Sequence, residues 1–274
     1  MTDRYAVIGN PVAHSKSPFI HAEFARQTGQ DLTYGRILAS RDRFTNAVQD
    51  FRAEGGKGLN VTLPFKLEAF ALAEERSARA VDAGAVNVLK FEGVSIFGDN
   101  TDGIGLVRDI GVNLGFAISG CTVLLMGAGG AARGALWPLL HARPERLVIA
   151  NRTVEKAQRL VERFDARARA DGISLSASGY AALAGQQFDL VVNATAASLN
   201  DAVPELPDAI FARDSLAYDM MYGKTTPFLE LAIGQGAGRV ADGIGMLVEQ
   251  AAESFLLWRG LRPETRSVIA VLKA

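Results

Sequence analysis

The chain has 274 residues and a single cysteine, Cys121, which excludes an intramolecular disulfide framework and is expected of a reducing compartment. Cys121 heads a predicted strand, where we expect a small core residue. Only three histidines are present, and no CxxC or H-E-x-x-H pattern accompanies them, so no metal site is expected. His14 falls in a loop that its hydrogen bonds would order, while His21 and His141 read as helix-surface or partly buried residues. No Ser-His-Asp set is supported by spacing. Net charge is −1 without a long basic run, which gives no support for nucleic-acid or membrane-surface binding. The nearest approach to a membrane span, Cys121–Leu140, is broken by a glycine turn and by Arg133. Met1 is followed by Thr-Asp-Arg rather than a signal peptide, so a soluble, cytoplasmic protein is expected. Hydrophobic residues make up 49% of the chain and charged ones 22%, which predicts a well-buried core.

Against these absences stands one glycine-rich run, Val123-Leu124-Leu125-Met126-Gly127-Ala128-Gly129-Gly130-Ala131-Ala132-Arg133. A short apolar strand enters a G-x-G-x-x-A turn and a helix follows, the context of a dinucleotide-binding fingerprint. Gly127 would permit the tight turn, Gly129 the approach of a pyrophosphate, and Ala132 close packing of helix on sheet. Free N–H groups at the helix start would face the phosphates.

The next predicted strand, Arg146–Ala150, ends in Asn151-Arg152-Thr153. NAD enzymes usually place an acid there, about 20 residues past the glycines, to hold the ribose 2′-hydroxyl. This strand end has none and offers Arg152 and Lys156. Both suit a 2′-phosphate, and Arg152 can also lie flat on the adenine. The alternative is a solvated basic helix start, since Glu155 and Glu162 share the region. NADP is the expected cofactor.

Strand and helix patterns alternate along the chain. Strands are predicted at Tyr5–Ile8, Thr33–Leu38, Gly58–Val61, Ala85–Lys90 and Val94–Phe97, the last two joined by a turn at Glu92-Gly93. Helices are predicted at Pro18–Gln27, Arg41–Ala53, Phe65–Ala73 with Pro64 at its first position, and Thr101–Asn113. A second βαβ series opens at Cys121, with strands Thr122–Met126, Arg146–Ala150, Ile173–Ala177, Leu190–Asn193, Leu216–Asp219 and Arg239–Ala241. Its helices are Gly130–Leu140, Val154–Phe164 and Pro227–Gln235, and Gly243–Trp258 closes the pattern. The predicted fold is α/β with two domains: an N-terminal, mostly parallel α/β domain and a Rossmann domain, with a cleft between them. The chain would cross between them near Thr101–Gly115 and Asp242–Gly245. Glycines 103, 105, 111, 115, 243 and 245 would there either absorb a hinge rotation or serve tight packing.

Polar residues of the first domain cluster in loops beside strand ends, where open α/β sheets bind ligands. Each cluster alone could be ordinary turn chemistry. Together, Gly9–Pro18 (G-N-P-x-x-H-S-x-S-P), Asn60–Lys66 (N-V-T-x-P-x-K), Gly84–Asn87 (G-A-x-N) and Asp99–Gly103 (D-N-T-D-G) precede the glycine turn and Asn151-Arg152-Thr153. Tyr218-Asp219-Met220-Met221-Tyr222 and Ala241–Leu247 follow. In this ordered set, spanning Val7 to about Arg259, the chain resembles the shikimate dehydrogenases. The resemblance implies reversible, NADPH-dependent reduction of 3-dehydroshikimate to shikimate, in the pathway to chorismate and the aromatic amino acids. It also implies a substrate domain over 1–102, completed by C-terminal helices in 246–274, and an NADP domain over 103–245.

By that resemblance Lys66 and Asp102 are the catalytic pair. Hydride delivered to a ketone leaves negative charge on oxygen, which needs a nearby cation or proton donor. Lys66 either transfers the proton or only polarises the oxygen. Ser15 and Ser17 precede a helix start and would take the substrate carboxylate, or cap the helix, for which Ser17 before Pro18 is well placed. Thr62, Asn87, Tyr222 and Gln250 complete the implied substrate contacts; Thr62, Asn87 and Gln250 could instead satisfy local backbone groups. The implied cofactor contacts are Gly127, Ala128, Gly129, Gly130, Ala131, Asn151, Arg152, Thr153, Lys156, Met220 and Gly243.

Three positions depart from the family pattern. Lys156 stands where arginine is common, which keeps charge but loses the planar fork and implies weaker NADP selectivity. Ala196-Ala197-Ser198 replaces a loop usually written S-x-G, and Ala78 stands where an acid is frequent. Two further readings remain at this point: a quinate/shikimate dehydrogenase of relaxed cofactor use, against which Asn151-Arg152-Thr153 argues, and a non-catalytic NADP-binding sensor, which should have lost Lys66 and Asp102. The small-molecule substrate is the expected partner, and the chain is expected to be a monomer or homodimer.

Overall fold

A computed structural model describes residues 2–195 and 205–274, so the Ala196-Ala197-Ser198 loop lies outside the described residues. The chain divides into two compact units, Met1–Gly105 with Leu247–Ala274, and Leu106–Met246.

The first unit carries strands β1 (Asp3–Gly9), β2 (Leu32–Leu38), β3 (Gly56–Val61), β4 (Glu75–Arg76), β5 (Val88–Glu92) and β6 (Ser95–Asp99). Their order is β2-β1-β3-β5-β6-β4. Neighbours β1/β2, β1/β3 and β4/β6 run parallel, and β3/β5 and β5/β6 antiparallel. The antiparallel β5/β6 pair is a hairpin, with Gly93 at φ 57° in its turn. Helices α1 (Ser17–Thr28), α2 (Phe44–Ala53), α3 (Lys66–Leu72) and α4 (Ala78–Ala83) belong to the N-terminal part. From the end of the chain, α9 (Ile244–Arg259) and α10 (Arg266–Lys273) return to complete this unit.

The second unit holds β7 (Thr122–Met126), β8 (Arg146–Ala150), β9 (Ser174–Ser178), β10 (Phe188–Asn193), β11 (Phe211–Asp219) and β12 (Arg239–Ala241). They form one sheet in the order β12-β11-β10-β7-β8-β9, all pairings parallel. This is the doubly wound order, in which the winding of successive strands switches from one side of β7 to the other, at the gap between β7 and β10. Helices α6 (Gly130–His141), α7 (Val154–Ala170) and α8 (Pro227–Gly234) connect the strands. Val123 and Leu125 face one hydrophobic cluster and Leu124 and Met126 the other, so all four side chains are buried. A strand covered on both faces needs such an unbroken apolar run. On α7, Ala157, Leu160, Val161, Phe164 and Ala168 are buried, the spacing of a single helical stripe.

Several local expectations change. Pro64 lies before the helix rather than at its first position: the Leu63–Pro64 peptide is cis, Phe65 is the N-cap and α3 begins at Lys66. The helix expected over Thr101–Asn113 is α5 (Asp102–Arg108), which passes into a π-helical turn at Asp109–Asn113. Strand β4 and helix α4 are short elements without a sequence period long enough to announce them. His21 is fully buried, not at a surface. It stacks on Tyr34 with ring centroids 4.2 Å apart, and Phe24, Phe255 and Trp258 enclose it. Cys121 is half-buried at the margin of the core, its thiol donating to the Ala117 carbonyl. Of the glycines at the second crossing, Gly243 and Gly245 serve packing. A Cβ on Gly243 would meet the Met220 carbonyl oxygen, and one on Gly245 would strike the Asp109 carboxylate. Among the described residues, no helix is long and apolar enough to cross a membrane.

Candidate active site

In the first unit, the strand ends gather four sequence motifs at one edge of the sheet. Asn60 pairs with Val88 across β3 and β5, and Val88 with Asp99 across β5 and β6, which brings Thr62, Asn87 and Asp99–Asp102 together. Thr62 N–H donates to the Ile8 carbonyl, and Asn10 N–H to the Leu63 carbonyl, tying the Gly9–Pro18 loop to the Thr62–Lys66 turn. Gly9 permits that contact, because a Cβ there would overlap the Thr62 methyl.

Lys66 and Asp102 meet at this edge. Lys66 Nζ donates to Asp102 Oδ2 at 2.6 Å, and Asn87 Nδ2 donates to Asp102 Oδ1 at 2.8 Å. Both carboxylate oxygens therefore accept charge-assisted or amide hydrogen bonds, the arrangement of an ionised acid. Asn87 is buried, and its Oδ1 accepts from the Thr101 backbone N–H at 2.8 Å, which turns its NH2 group toward Asp102. Gln250 Oε1 lies 3.4 Å from both Asn87 Nδ2 and Thr101 Oγ1, and its Nε2 donates to the Leu247 carbonyl. Lys66, Asn87, Asp102 and Gln250 thus form one connected group.

Ser15 lies on the neighbouring loop and Ser17 opens the helix that follows it. Ser17 is the first helical residue of α1 rather than its N-cap, a position taken by Lys16, and no side chain caps the helix. Ser15 Oγ accepts from the Ser17 backbone N–H at 3.3 Å, a local turn one residue ahead of the cap. His14 is exposed and makes no hydrogen bond among the described residues, so it does not order the loop.

Sequence reasoning did not single out Asn60, Thr101 or Ser254. Asn60 accepts from the Tyr34 hydroxyl at 2.7 Å and donates to Ser254 Oγ at 2.9 Å, and Ser254 lies 3.4 Å from Thr101 Oγ1. Asn60, Thr101 and Ser254 are all buried. Asn60 and Thr101 stand inside the quoted motifs, but Ser254 occupies one turn past Gln250 on α9 and carries no local signal.

In the second unit, the candidate nucleotide residues all follow the carboxyl ends of parallel strands. Gly127 follows β7 with φ at 102°, and a Cβ would come within 3.1 Å of the Ala194 carbonyl oxygen, so only glycine suits the turn. Gly129 is the N-cap of α6 and no side chain caps the helix, leaving its first N–H groups open at Gly130 and Ala131 beside half-buried Ala128. After β8, Asn151 Nδ2 donates to the Thr153 carbonyl, shaping the turn, and Arg152, Thr153 and Lys156 are exposed. Tyr180, which the sequence did not mark, is half-buried; burial pushes its phenol pKa up and the Arg152 charge works against it. Met220 and Gly243 are in direct contact. Their loop is held from below by Asp219, which accepts from Met221 N–H at 3.0 Å and from the Thr226 hydroxyl. Tyr222 belongs to this unit and is half-buried, with burial raising its pKa. No cluster of His, Cys, Asp and Glu able to hold a metal occurs among the described residues.

Family models match along the chain: the shikimate dehydrogenase substrate binding domain at residues 7–89, shikimate / quinate 5-dehydrogenase at 112–202, and the shikimate 5′-dehydrogenase C-terminal domain at 243–273. The shikimate dehydrogenase (NADP(+)) of Nitrosospira multiformis is 62% identical, over 100% of this chain and 98% of its own. The chain belongs to the shikimate dehydrogenase family. Solved structures agree. The shikimate 5-dehydrogenase of Thermus thermophilus, solved with NADP(H) and shikimate, is 30% identical with a TM-score of 0.85 and 99% of each chain covered. An Ael1 enzyme from Pseudomonas putida is 55% identical, with a TM-score of 0.93 over 99% of this chain and 98% of that one.

Proposed function

We infer that the chain is an NADP-dependent shikimate dehydrogenase, catalysing the reversible reduction of 3-dehydroshikimate to shikimate on the route to chorismate and the aromatic amino acids. The observation that carries this reading is the Lys66–Asp102–Asn87 group, in a chain 62% identical to an enzyme of that name.

The residues present fit the cofactor. Gly127 keeps the turn free of a Cβ, the start of α6 is uncapped, and two exposed cations follow β8 where an NAD enzyme would carry an acid. Gly127–Ala131 hold the pyrophosphate, Asn151, Arg152, Thr153 and Lys156 the adenosine 2′-phosphate side, and Met220 and Gly243 the nicotinamide side. NADPH, when bound, supplies a hydride to the keto carbon.

As charge grows on the keto oxygen, Lys66 meets it. One ammonium proton is committed to Asp102, which leaves Nζ two donors for the substrate. Asp102 holds that ammonium in place and accepts from a ring hydroxyl. Thr62, Asn87, Tyr222 and Gln250 bond ring hydroxyls, and Ser15 and Ser17 take the carboxylate. The protein acts in the cytoplasm as a monomer or homodimer.

Purified protein assayed by the absorbance of reduced nicotinamide tests this. Shikimate should be oxidised with kcat/KM at least about tenfold higher for NADP than for NAD, the scale of one well-formed charge contact. No turnover of shikimate overturns the reading. Equal use of NAD, with quinate also oxidised, would favour the relaxed quinate/shikimate enzyme.

A further inference from the structure

Arg79 on α4 joins two segments of the first unit that carry active-site residues. Its Nε and Nη2 donate to Asp99 Oδ1 and Oδ2 at 2.7 and 2.6 Å, a planar two-point fork. Its third nitrogen, Nη1, donates to Glu253 Oε1 at 3.0 Å. Asp99 ends β6 and also accepts from Asn100 N–H at 2.7 Å, the first residue of the turn that delivers Thr101 and Asp102. The Ser77 hydroxyl donates to the same carboxylate. Glu253 lies on α9, three residues beyond Gln250. One guanidinium therefore spans the Asp102 turn and the Gln250 helix.

The chain of charges continues. Arg262 donates to Glu253 Oε2 at 2.6 Å and to Glu249 Oε2 at 2.5 Å, and the Thr265 hydroxyl donates to Glu249 Oε1 at 2.6 Å. Asp99 and Glu249 are fully buried and Glu253 mostly so. Burial of Arg79 works against its charge, and the hydrogen bonds and charges of Asp99 and Glu253 outweigh it, raising its pKa. An alternating buried network of this kind is a poor source of net stability, because desolvation offsets most of the attraction. What it supplies is registry: its hydrogen bonds tie α4, the end of β6, α9 and the segment after α9 to one another. Arg79 donates to Asp99 and Glu253 rather than to Lys66, Asn87, Asp102 or Gln250.

We propose that Arg79 is a positioning residue for the substrate site, setting the Asp102 turn and Gln250 in register through Asp99 and Glu253. This rests on the reading of Asp102 and Gln250 as substrate contacts given above. Glu253→Gln removes the charge that pairs with Arg79 Nη1 and with Arg262 and leaves the Asp99 fork intact, so KM for shikimate should rise about five- to tenfold while kcat and KM for NADP stay within about twofold. Arg79→Lys loses the fork and the third contact together, so KM should rise at least as far and kcat fall about tenfold. The double variant should show no further rise in KM over Arg79→Lys. A merely structural staple would lower the melting temperature and leave KM for shikimate unchanged; that result overturns the proposal. Should Arg79→Lys not fold, the isosteric Glu253→Gln decides alone. An active wild type with wild-type KM in the variants overturns only this inference, whereas an inactive wild type overturns the functional reading and this inference with it.

Discussion

At the residue scale, the informative feature is how few side chains near Lys66 are free to move. Asp102 has both oxygens engaged, Asn87 is held by the Thr101 backbone, and Gln250 is tied at its amide nitrogen. Preorganisation of this sort lets a single ammonium act on a developing oxyanion without reorganisation at the moment of reaction. Lys66→Ala should lower kcat about 100-fold or more, with NADP affinity by fluorescence titration nearly unchanged. Near-normal turnover would remove Lys66 from the mechanism. Asp102→Asn keeps the shape but loses the charge that anchors Lys66, and turnover should fall with it, with KM for shikimate also raised. On the cofactor side, Arg152→Ser should raise KM for NADP about tenfold or more and leave KM for NAD nearly unchanged, since only NADP carries the 2′-phosphate. Lys156→Ala should act in the same direction and less. Equal losses with both cofactors would assign Arg152 to adenine stacking instead.

At the element scale, close approach explains glycines that periodicity alone leaves unexplained. Gly58 sits within β3, where a Cβ would come 2.5 Å from Trp258 Nε1 and 2.7 Å from the Leu89 carbonyl oxygen. That gap lets the Trp258 indole of α9 donate to Leu89 O at 3.0 Å and stack on Tyr5 at 4.6 Å. A strand position that looks permissive is therefore where the C-terminal helix docks on the N-terminal sheet. Because one of the two obstructing atoms is backbone, Gly58→Ala should destabilise the protein by about 2 kcal/mol or more, measured by urea unfolding. A variant of wild-type stability would show that the helix yields easily.

At the scale of the whole molecule, the first unit depends on the last part of the chain. Residues Val248, Ala251, Phe255 and Trp258 of α9 are buried, and the Phe255 and Trp258 rings pack on His21 from the N-terminal part of the same unit. Burial lowers the His21 pKa from 6.5 to about 3, with the Asn60 side chain opposing. The sign follows from linkage. The folded state keeps this imidazole neutral, so its contribution is fully present above 6.5; between 6.5 and about 3 the unfolded chain takes up a proton that the folded one refuses. Stability therefore falls on acidification by about 1.4 kcal/mol per pH unit from this group, about 2 kcal/mol by about pH 5. His21→Phe keeps the stacking and removes the titration. The gap in unfolding free energy between variant and wild type should shift in favour of the variant by about that amount from neutral pH to about pH 5. Parallel pH profiles would show that His21 protonation does not set acid stability.

The alternation of strands and helices, the G-x-G-x-x-A turn and the cations at Arg152 and Lys156 are legible in the chain without its fold. Those are local: a two-sided apolar run at Val123–Met126, a glycine needing positive φ and a strand end without an acid are all written in neighbouring residues. The tertiary structure decided the rest. It made Ser17 the first residue of α1 rather than its cap, placed Pro64 outside α3 and buried His21, because each depends on what distant segments leave exposed. Short β4 and α4 escaped for a related reason: two residues and six residues are too few for a period to show. Above all, Thr101, Ser254 and the Arg79–Glu253 bridge became visible only when α9 was laid against β6. Contacts between residues 153 and 174 positions apart follow from topology and leave no mark on local sequence.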